Sequence, residues 1–531
     1  MIAELFMINL KINFRRAKMS KSFKTISLVT VVLLMTMMLT GFAEANTGGD
    51  FDLGMGADVD SLDPVKATAS PSATVTQHVY EPLFDYTPDG EIVPLLAEGY
   101  DVSEDGKVYE IYIKQGIEFH DGEYLDAEAV RMSLERQLDP DSPFYFLIDV
   151  VEEIEVIDDY TVRLHLEEPF APLTAHLSHA SMGIVSPGVI EDDDEELTTN
   201  PVGTGPFEFV NWDVGEQVVL ERNANYWGEN ANFDTASFHI VPEDGTRVAM
   251  LETGELDAIM YVPPREAERL EGIGDIDVVE AESLRTIHIG FNLTNEEFED
   301  VKVRQALNYA VDNSAIVEHV LEGVGEPSDA PISPVIFGYE GQEKYEYNPD
   351  KAVELLEEAG YEDGFGVTLH HPTGRYMLDD TVAEAVQSQL EDVNIEVELE
   401  TLEWVTYMEL VNQAPEESEH DMYMYGWGTM TGDADYGLYA LFHSTEKAPA
   451  GNNFTYFSND TVDELLDEAR INPDPGDRED IYSEAIEVIW DEAPWLFLHS
   501  ERQINAVRSD VEGLIHHPKE FIGVHEGYFN E

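Results

Sequence analysis

One observation predicts an α/β fold, and two more bound its size and its core. Segments of strand period and segments of helix period alternate along the whole chain. At 531 residues the chain exceeds what one hydrophobic core organises, so two or three domains are expected. Hydrophobic residues make up 43% of it, with 24 Tyr, 24 Phe and 6 Trp, which is enough apolar material for packed cores.

The elements follow in chain order. Val108-Tyr109-Glu110-Ile111-Tyr112-Ile113 and Val162-Arg163-Leu164-His165-Leu166 alternate apolar and polar residues and read as strands. His165 then points away from the apolar face, the place of a surface histidine. Gly203-Thr204-Gly205-Pro206-Phe207 reads as a turn into a strand. It lacks the Lys-Ser/Thr ending of a phosphate loop, and its proline opposes a following helix. A helix is expected from about Val301 to Leu321. Another is marked by Asn348 as N-cap, Pro349 in the first turn and Gly360 at the end. Its apolar stripe is Ala352, Val353, Leu355, Leu356 and Ala359. A third starts near Asn459-Asp460 and carries Val462, Leu465, Leu466 and Ala469. No repeat and no low-complexity linker interrupts the alternation.

Charge narrows the setting. Asp and Glu number 110 against 28 Lys and Arg, a net charge of −82. The acidic residues recur throughout, Glu191 to Glu196 being one run, rather than forming a tail. Such self-repulsion destabilises a compact state at low ionic strength, and molar salt shortens the screening length to about 3 Å. A secreted protein adapted to a saline medium fits this balance. Nucleic acid and anionic membranes do not. Neither acidic repeats nor D-x-D-x-D-G loops of a calcium store are present.

At the N-terminus, Lys18, Lys21 and Lys24 precede an apolar run from Ile26 to Leu39. At 14 residues it is short of the roughly 20 that span a bilayer. Ala43-Glu44-Ala45 then offers an A-x-A cleavage pattern. Residues 1–45 therefore read as an export signal cleaved near Ala45, giving a periplasmic or extracellular protein; an uncleaved anchor is the alternative. Phe42 stands where a lipoprotein signal carries its cysteine, so the lipobox cysteine is absent. The whole chain has none, which rules out disulfides, thiol catalysis and cysteine-ligated metal.

Chemistry-bearing motifs are scarce. His370-His371 and His516-His517 are adjacent pairs, and neighbours on an extended segment face opposite ways, so neither makes a good chelate. No G-x-S-x-G or H-E-x-x-H stretch occurs. No catalytic residue, metal site or cofactor is expected.

Several stretches in order resemble one family. They are Asp60-Ser61-Leu62-Asp63-Pro64, Tyr80-Glu81-Pro82-Leu83-Phe84, Gly90 to Ala97 and Phe119-His120-Asp121-Gly122. Val202 to Phe207, Arg222-Asn223-Ala224-Asn225-Tyr226-Trp227, Gly254-Glu255-Leu256-Asp257, Phe291-Asn292, Val303 to Leu307 and the Asn348 to Tyr361 helix follow. Together they resemble the family 5 substrate-binding proteins of peptide and nickel ABC importers. The resemblance implies a periplasmic-binding-protein-like fold of two lobes joined by a hinge, of the large class II, cluster C type with an extra subdomain. It implies lobe I from 46–292 and 503–531, lobe II from 293–502, and crossings near Asn292 and Gln503. The implied partners are a short peptide ligand and the membrane subunits of an ABC permease; a monomer is expected.

The same resemblance nominates site residues. Dipeptide and oligopeptide binders place an aspartate three residues after a Gly-Trp pair to hold the peptide ammonium. Here the pair is Gly426-Trp427 and the third residue on is Met430, which supplies no anion. The run from Trp427 to Gly437, with Leu441-Phe442-His443-Ser444 after it, is instead similar to glutathione-binding members. On that reading Asp433 or Asp435 meets an ammonium placed differently; a capped turn is the alternative for either. Arg375, followed by Tyr376, falls where relatives hold a ligand carboxylate, a task suited to a planar fork. A surface pair with Asp379 or Asp380 is its alternative. Trp404, Tyr425 and Trp427 are aromatic candidates for the cleft wall, Trp427 foremost. Thr68 and Ser70 lie in the segment that touches ligand in relatives. The implied function is delivery of glutathione or a related short peptide to a permease. A dipeptide or nickel-chelate binder of the same family and, from another class, a secreted acidic hydrolase remain alternatives.

Overall fold

Two long strands run through the middle of the molecule and decide its plan. Ile276–Phe291 and Trp495–Arg508 pair antiparallel over most of their length. In this computed structural model, which describes residues 48–530, they lie at the centre of an eleven-stranded sheet. On one side the sheet continues through Met422–Gly428, Phe365–Pro372 and Ile395–Leu402. On the other it continues through Ala258–Ile259, Asp50–Met55, Thr235–Ile240, Gln217–Arg222 and Phe207–Asp213. A separate four-stranded antiparallel sheet, ordered 97–102, 108–113, 161–166 and 151–158, carries helix Ala127–Gln137.

Each half buries its own core. Phe51, Leu53, Phe207 and Phe238 fill the first half. Ile289, Leu307, Leu369 and Val386 fill the second. Ile111, Leu134 and Leu164 fill the four-stranded subdomain. Alternation explains how the four-stranded sheet buries one face: in Val108–Ile113 the second, fourth and sixth residues are buried.

Local signals produce the elements they announce. The Asn348 side chain accepts from Lys351 N at 3.0 Å and opens helix Pro349–Glu358. Asn459 caps Asp460–Ile471 in the same way. The Gly203–Phe207 stretch is a turn into strand Phe207–Asp213. A Cβ on Gly203 would lie 2.1 Å from the Val79 carbonyl oxygen, so only glycine fits. One expectation is corrected: no single helix spans 301–321. Helix Val301–Ala310 ends where Val311 turns extended, φ −108° and ψ 125°. Asp312 then caps a new turn through Ala315 N at 2.9 Å.

The ladder between the two long strands breaks at one place. Glu282 pairs with Arg502 and Thr286 with Ser500. Ser283, Leu284 and Arg285 therefore face Glu501 alone. This bulge marks the passage from one half of the sheet to the other and re-aims the side chains at the break.

Candidate functional site

The bulge turns Arg285 into a buried cluster. Its Nε and Nη2 donate to the two carboxylate oxygens of Glu520 at 3.0 and 2.8 Å. Ser283 Oγ donates to the same Glu520 at 2.8 Å. Burial opposes ionisation of Glu520, but Arg285 and Ser283 outweigh it and hold its carboxyl below the ordinary value. Glu501 Oε2 lies 3.3 Å from the same Arg285 Nε. Burial, with Glu520 beside it, pushes Glu501 up to about 7 against the pull of Arg285.

Arg375 approaches this cluster from the second half. Its loop follows strand Phe365–Pro372 and is fixed by Asp379. That carboxylate accepts backbone N–H groups from Gly374, Arg375 and Tyr376 at 3.1, 2.8 and 3.1 Å. The Arg375 side chain is exposed. Its guanidinium lies over the Trp404 ring, 4.8 Å from the centroid. It makes no salt bridge with Asp379 or Asp380. Thirteen of the fourteen described arginines have a carboxylate partner, and among the described residues Arg375 is the exception. Its charge reaches Glu501, Glu520 and Tyr376.

Aromatic rings continue the wall. Trp404 stacks near-parallel with Tyr425 at 6.1 Å, and Trp427 lies 6.3 Å from Tyr425 and 5.2 Å from Tyr436. Trp427 touches three hydrophobic clusters, so it sits where they meet. Its Nε1–H is buried and has no hydrogen-bond partner among the described residues. Gly426 is required by packing, since a Cβ there would lie 2.6 Å from both Ile287 and Tyr376.

Thus Arg375, Tyr376, Gly426 and Trp427 come together. The other nominated residues are engaged elsewhere. Asp433 caps helix Ala434–Phe442 and is bound by Arg478. Asp435 is bound by Arg470 at 2.8 and 3.2 Å, with His176 at 3.4 Å. Asp433 thus has the capped-turn environment that was the alternative to a ligand contact, and Asp435 is paired within the protein. The Thr68 hydroxyl donates to Asp60 at 2.6 Å. Ser70 opens helix Ser70–Thr76, and its carbonyl accepts from Thr74 Oγ1 at 3.0 Å.

Sequence reasoning does not single out Arg285, Glu501, Glu520 or Tyr261, whose phenol lies 3.5 Å from Glu520. One signal was present. Arg285 interrupts the apolar pattern Leu284-Arg285-Thr286-Ile287-His288-Ile289 in a chain poor in basic residues. A charge at such a position needs a buried partner. The histidine pairs stay apart from one another: His370 pairs with Glu400 at 3.1 Å and His371 with Thr401 at 3.1 Å. Among the described residues no group of three metal-ligating side chains forms, and no helix is long and apolar enough to cross a membrane. The expected signal segment lies outside the described residues.

One eleven-stranded sheet built around two long antiparallel strands, with a separate four-stranded sheet, is the architecture shared with solute-binding proteins. Known proteins identify which kind. Residues 91–449 match the profile of the bacterial extracellular solute-binding proteins, family 5 middle region. Over 473 residues the chain is 33% identical to the glutathione-binding protein GsiB of Pectobacterium atrosepticum, covering 88% of this chain and 91% of that one. The solved structure of the ABC transporter-associated periplasmic binding protein DppA from Helicobacter pylori, in complex with the peptide STSA, superposes with a TM-score of 0.79. It is 29% identical and covers 92% of this chain and 99% of that one. HbpA2 from Haemophilus parasuis superposes with a TM-score of 0.81 at 28% identity, covering 91% and 100%. The chain belongs to the family 5 extracellular solute-binding proteins. It has their two-lobed α/β fold, and the family binds peptides and works with ABC permease subunits.

Proposed function

We propose that this chain delivers glutathione or a related short peptide to an ABC permease and carries out no catalytic step on it. The single observation that carries this reading is Arg375. In a chain of charge −82, one arginine stands exposed, stacked and without a carboxylate partner among the described residues. Such a guanidinium suits a carboxylate brought by a ligand, bound through its fork. Tyr376, Gly426 and Trp427 lie beside it and are its companions in this reading. The lobes are taken as 46–292 with 503–531 and 293–502, so the crossings fall near Asn292 and Gln503, on or beside the two long strands. Met430 in place of an aspartate disfavours an α-dipeptide held in the usual way. The curated relatives named for glutathione favour the tripeptide.

Calorimetry with glutathione on the wild type and Arg375→Ala tests this. Removing the guanidinium leaves the ligand carboxylate unpaired in the cleft, and a loss of about 2–5 kcal/mol is expected. Arg375→Lys recovers part of it, because a point charge does not reproduce the fork. Unchanged binding by Arg375→Ala refutes the carboxylate assignment.

A further inference from the structure

The charges around Arg285 do not balance. Arg285 spends Nε and Nη2 on Glu520, and Glu501 shares only the Nε side at 3.3 Å. Two carboxylates therefore lean on one guanidinium. Arg375 is the other cation acting on both, and it is the group assigned to the ligand carboxylate. The remaining titratable neighbours, Tyr261 and Tyr376, are phenols that burial keeps neutral. The Glu501 side chain is 16% exposed, against 5% for Glu520, so it is the more accessible carboxylate of the pair. Asp433 and Asp435 are held by arginines, and position 430 is methionine. A peptide ligand nevertheless brings a primary ammonium, which needs an anion once water is excluded.

Resting on the reading that Arg375 binds the ligand carboxylate, we infer that Glu501 receives the ligand's primary ammonium and so selects for ligands with a free amino group. The bulge is what makes this possible, because it sets Glu501 alone opposite three residues, with Arg285 Nε at 3.3 Å and the Met377 backbone N–H as its donors. Glu501, pushed up to about 7, is partly protonated in the empty site near neutral pH. An ammonium placed beside it favours the ionised form. Binding at pH 7 then releases part of a proton to the buffer.

The probes are glutathione and glutathione N-acetylated on its γ-glutamyl amine, titrated into the full chain in 2 M KCl. The wild type is expected to bind glutathione about 10- to 100-fold more tightly, the range for a lost charged hydrogen bond. Glu501→Gln narrows that ratio to about twofold. Titration in two buffers of different ionisation enthalpy shows proton release in the wild type and none in Glu501→Gln. Equal wild-type affinity for the two probes overturns the assignment without any variant. So does a ratio that survives Glu501→Gln. If Arg375→Ala weakens binding while the ratio survives Glu501→Gln, the Glu501 assignment fails and the carboxylate reading stands. If Arg375→Ala binds normally, the carboxylate reading is the one that fails.

Discussion

Nη2 of Arg478 donates to both carboxylate oxygens of Asp433, at 2.7 and 2.8 Å, across 45 residues of sequence. The same carboxylate accepts from Asp435 N at 3.0 Å and from the Tyr482 hydroxyl at 3.2 Å. Its acceptor sites are filled from within the protein. Asp433→Ala strands a buried guanidinium, which costs about 3–5 kcal/mol. Urea unfolding in 2 M KCl checks the loss. Glutathione affinity of the folded variant is expected to match the wild type; weakened binding at unchanged stability would return Asp433 to the ligand site.

Met430 closes over Gly428, where an added Cβ would lie 2.3 Å from the methionine methyl. Met430→Asp replaces that methyl with a carboxylate that an α-ammonium in the usual dipeptide position pairs with. Ala-Ala should gain affinity relative to glutathione in calorimetry. An untouched preference shows that position 430 does not face the ligand.

Acid should destabilise the fold. Burial holds His78, His420, His499 and His516 down to about 4, and His179 and His517 down to about 3, from an ordinary 6.5. Between pH 6.5 and 4 the unfolded chain binds protons that the native state refuses, so stability falls as pH falls. Burial raises Glu81 and Glu501 to about 7 and Asp257 to about 6. These three act in the opposite sense, since the native state binds their protons first. Burial also lowers His120, His288 and His525 and raises Asp85, Asp149, Glu208 and Glu446, so nine histidines stand against seven carboxyls. A net of one proton gives about 1.4 kcal/mol per pH unit. Urea midpoints should drop from pH 6.5 to 4.5 at fixed salt; a flat profile would contradict the sum.

Salt should stabilise it. With 110 acidic residues against 28 basic ones, repulsion acts over about 30 Å at 0.01 M but about 3 Å at 1 M. The melting temperature is expected to rise steadily from 0.05 to 2 M KCl, roughly the span over which screening shortens several-fold. No change across that series removes the saline-adaptation reading.

Helix starts were legible because their signals are local: Asn348 and Asn459 each bond backbone N–H groups two or three residues on. So was the turn at Gly203–Phe207, whose proline and glycines act on their own backbone. The Val301 helix ends sooner than its periodicity implies, because the pattern continues past Val311 while the break rests on the Asp312 cap and on Gln389, 77 residues away. Arg375 and Trp427 were found through a resemblance rather than through period or spacing. Nothing in the sequence marks Glu501 or Glu520. Glu520 meets Arg285 across 235 residues, and in a chain this acidic no single glutamate stands out. Asp433 and Asp435 show the converse limit: their spacing reads equally as cap or as ligand contact, and Arg478 and Arg470, which occupy them, come from later helical segments.

The most direct test is to titrate glutathione into the wild-type protein at molar KCl and recover the ligand by denaturation for mass spectrometry. The expected result is saturable binding of one glutathione per chain and release of the intact tripeptide. Cleaved product, or no binding of glutathione under conditions where the protein is folded, would contradict the assignment.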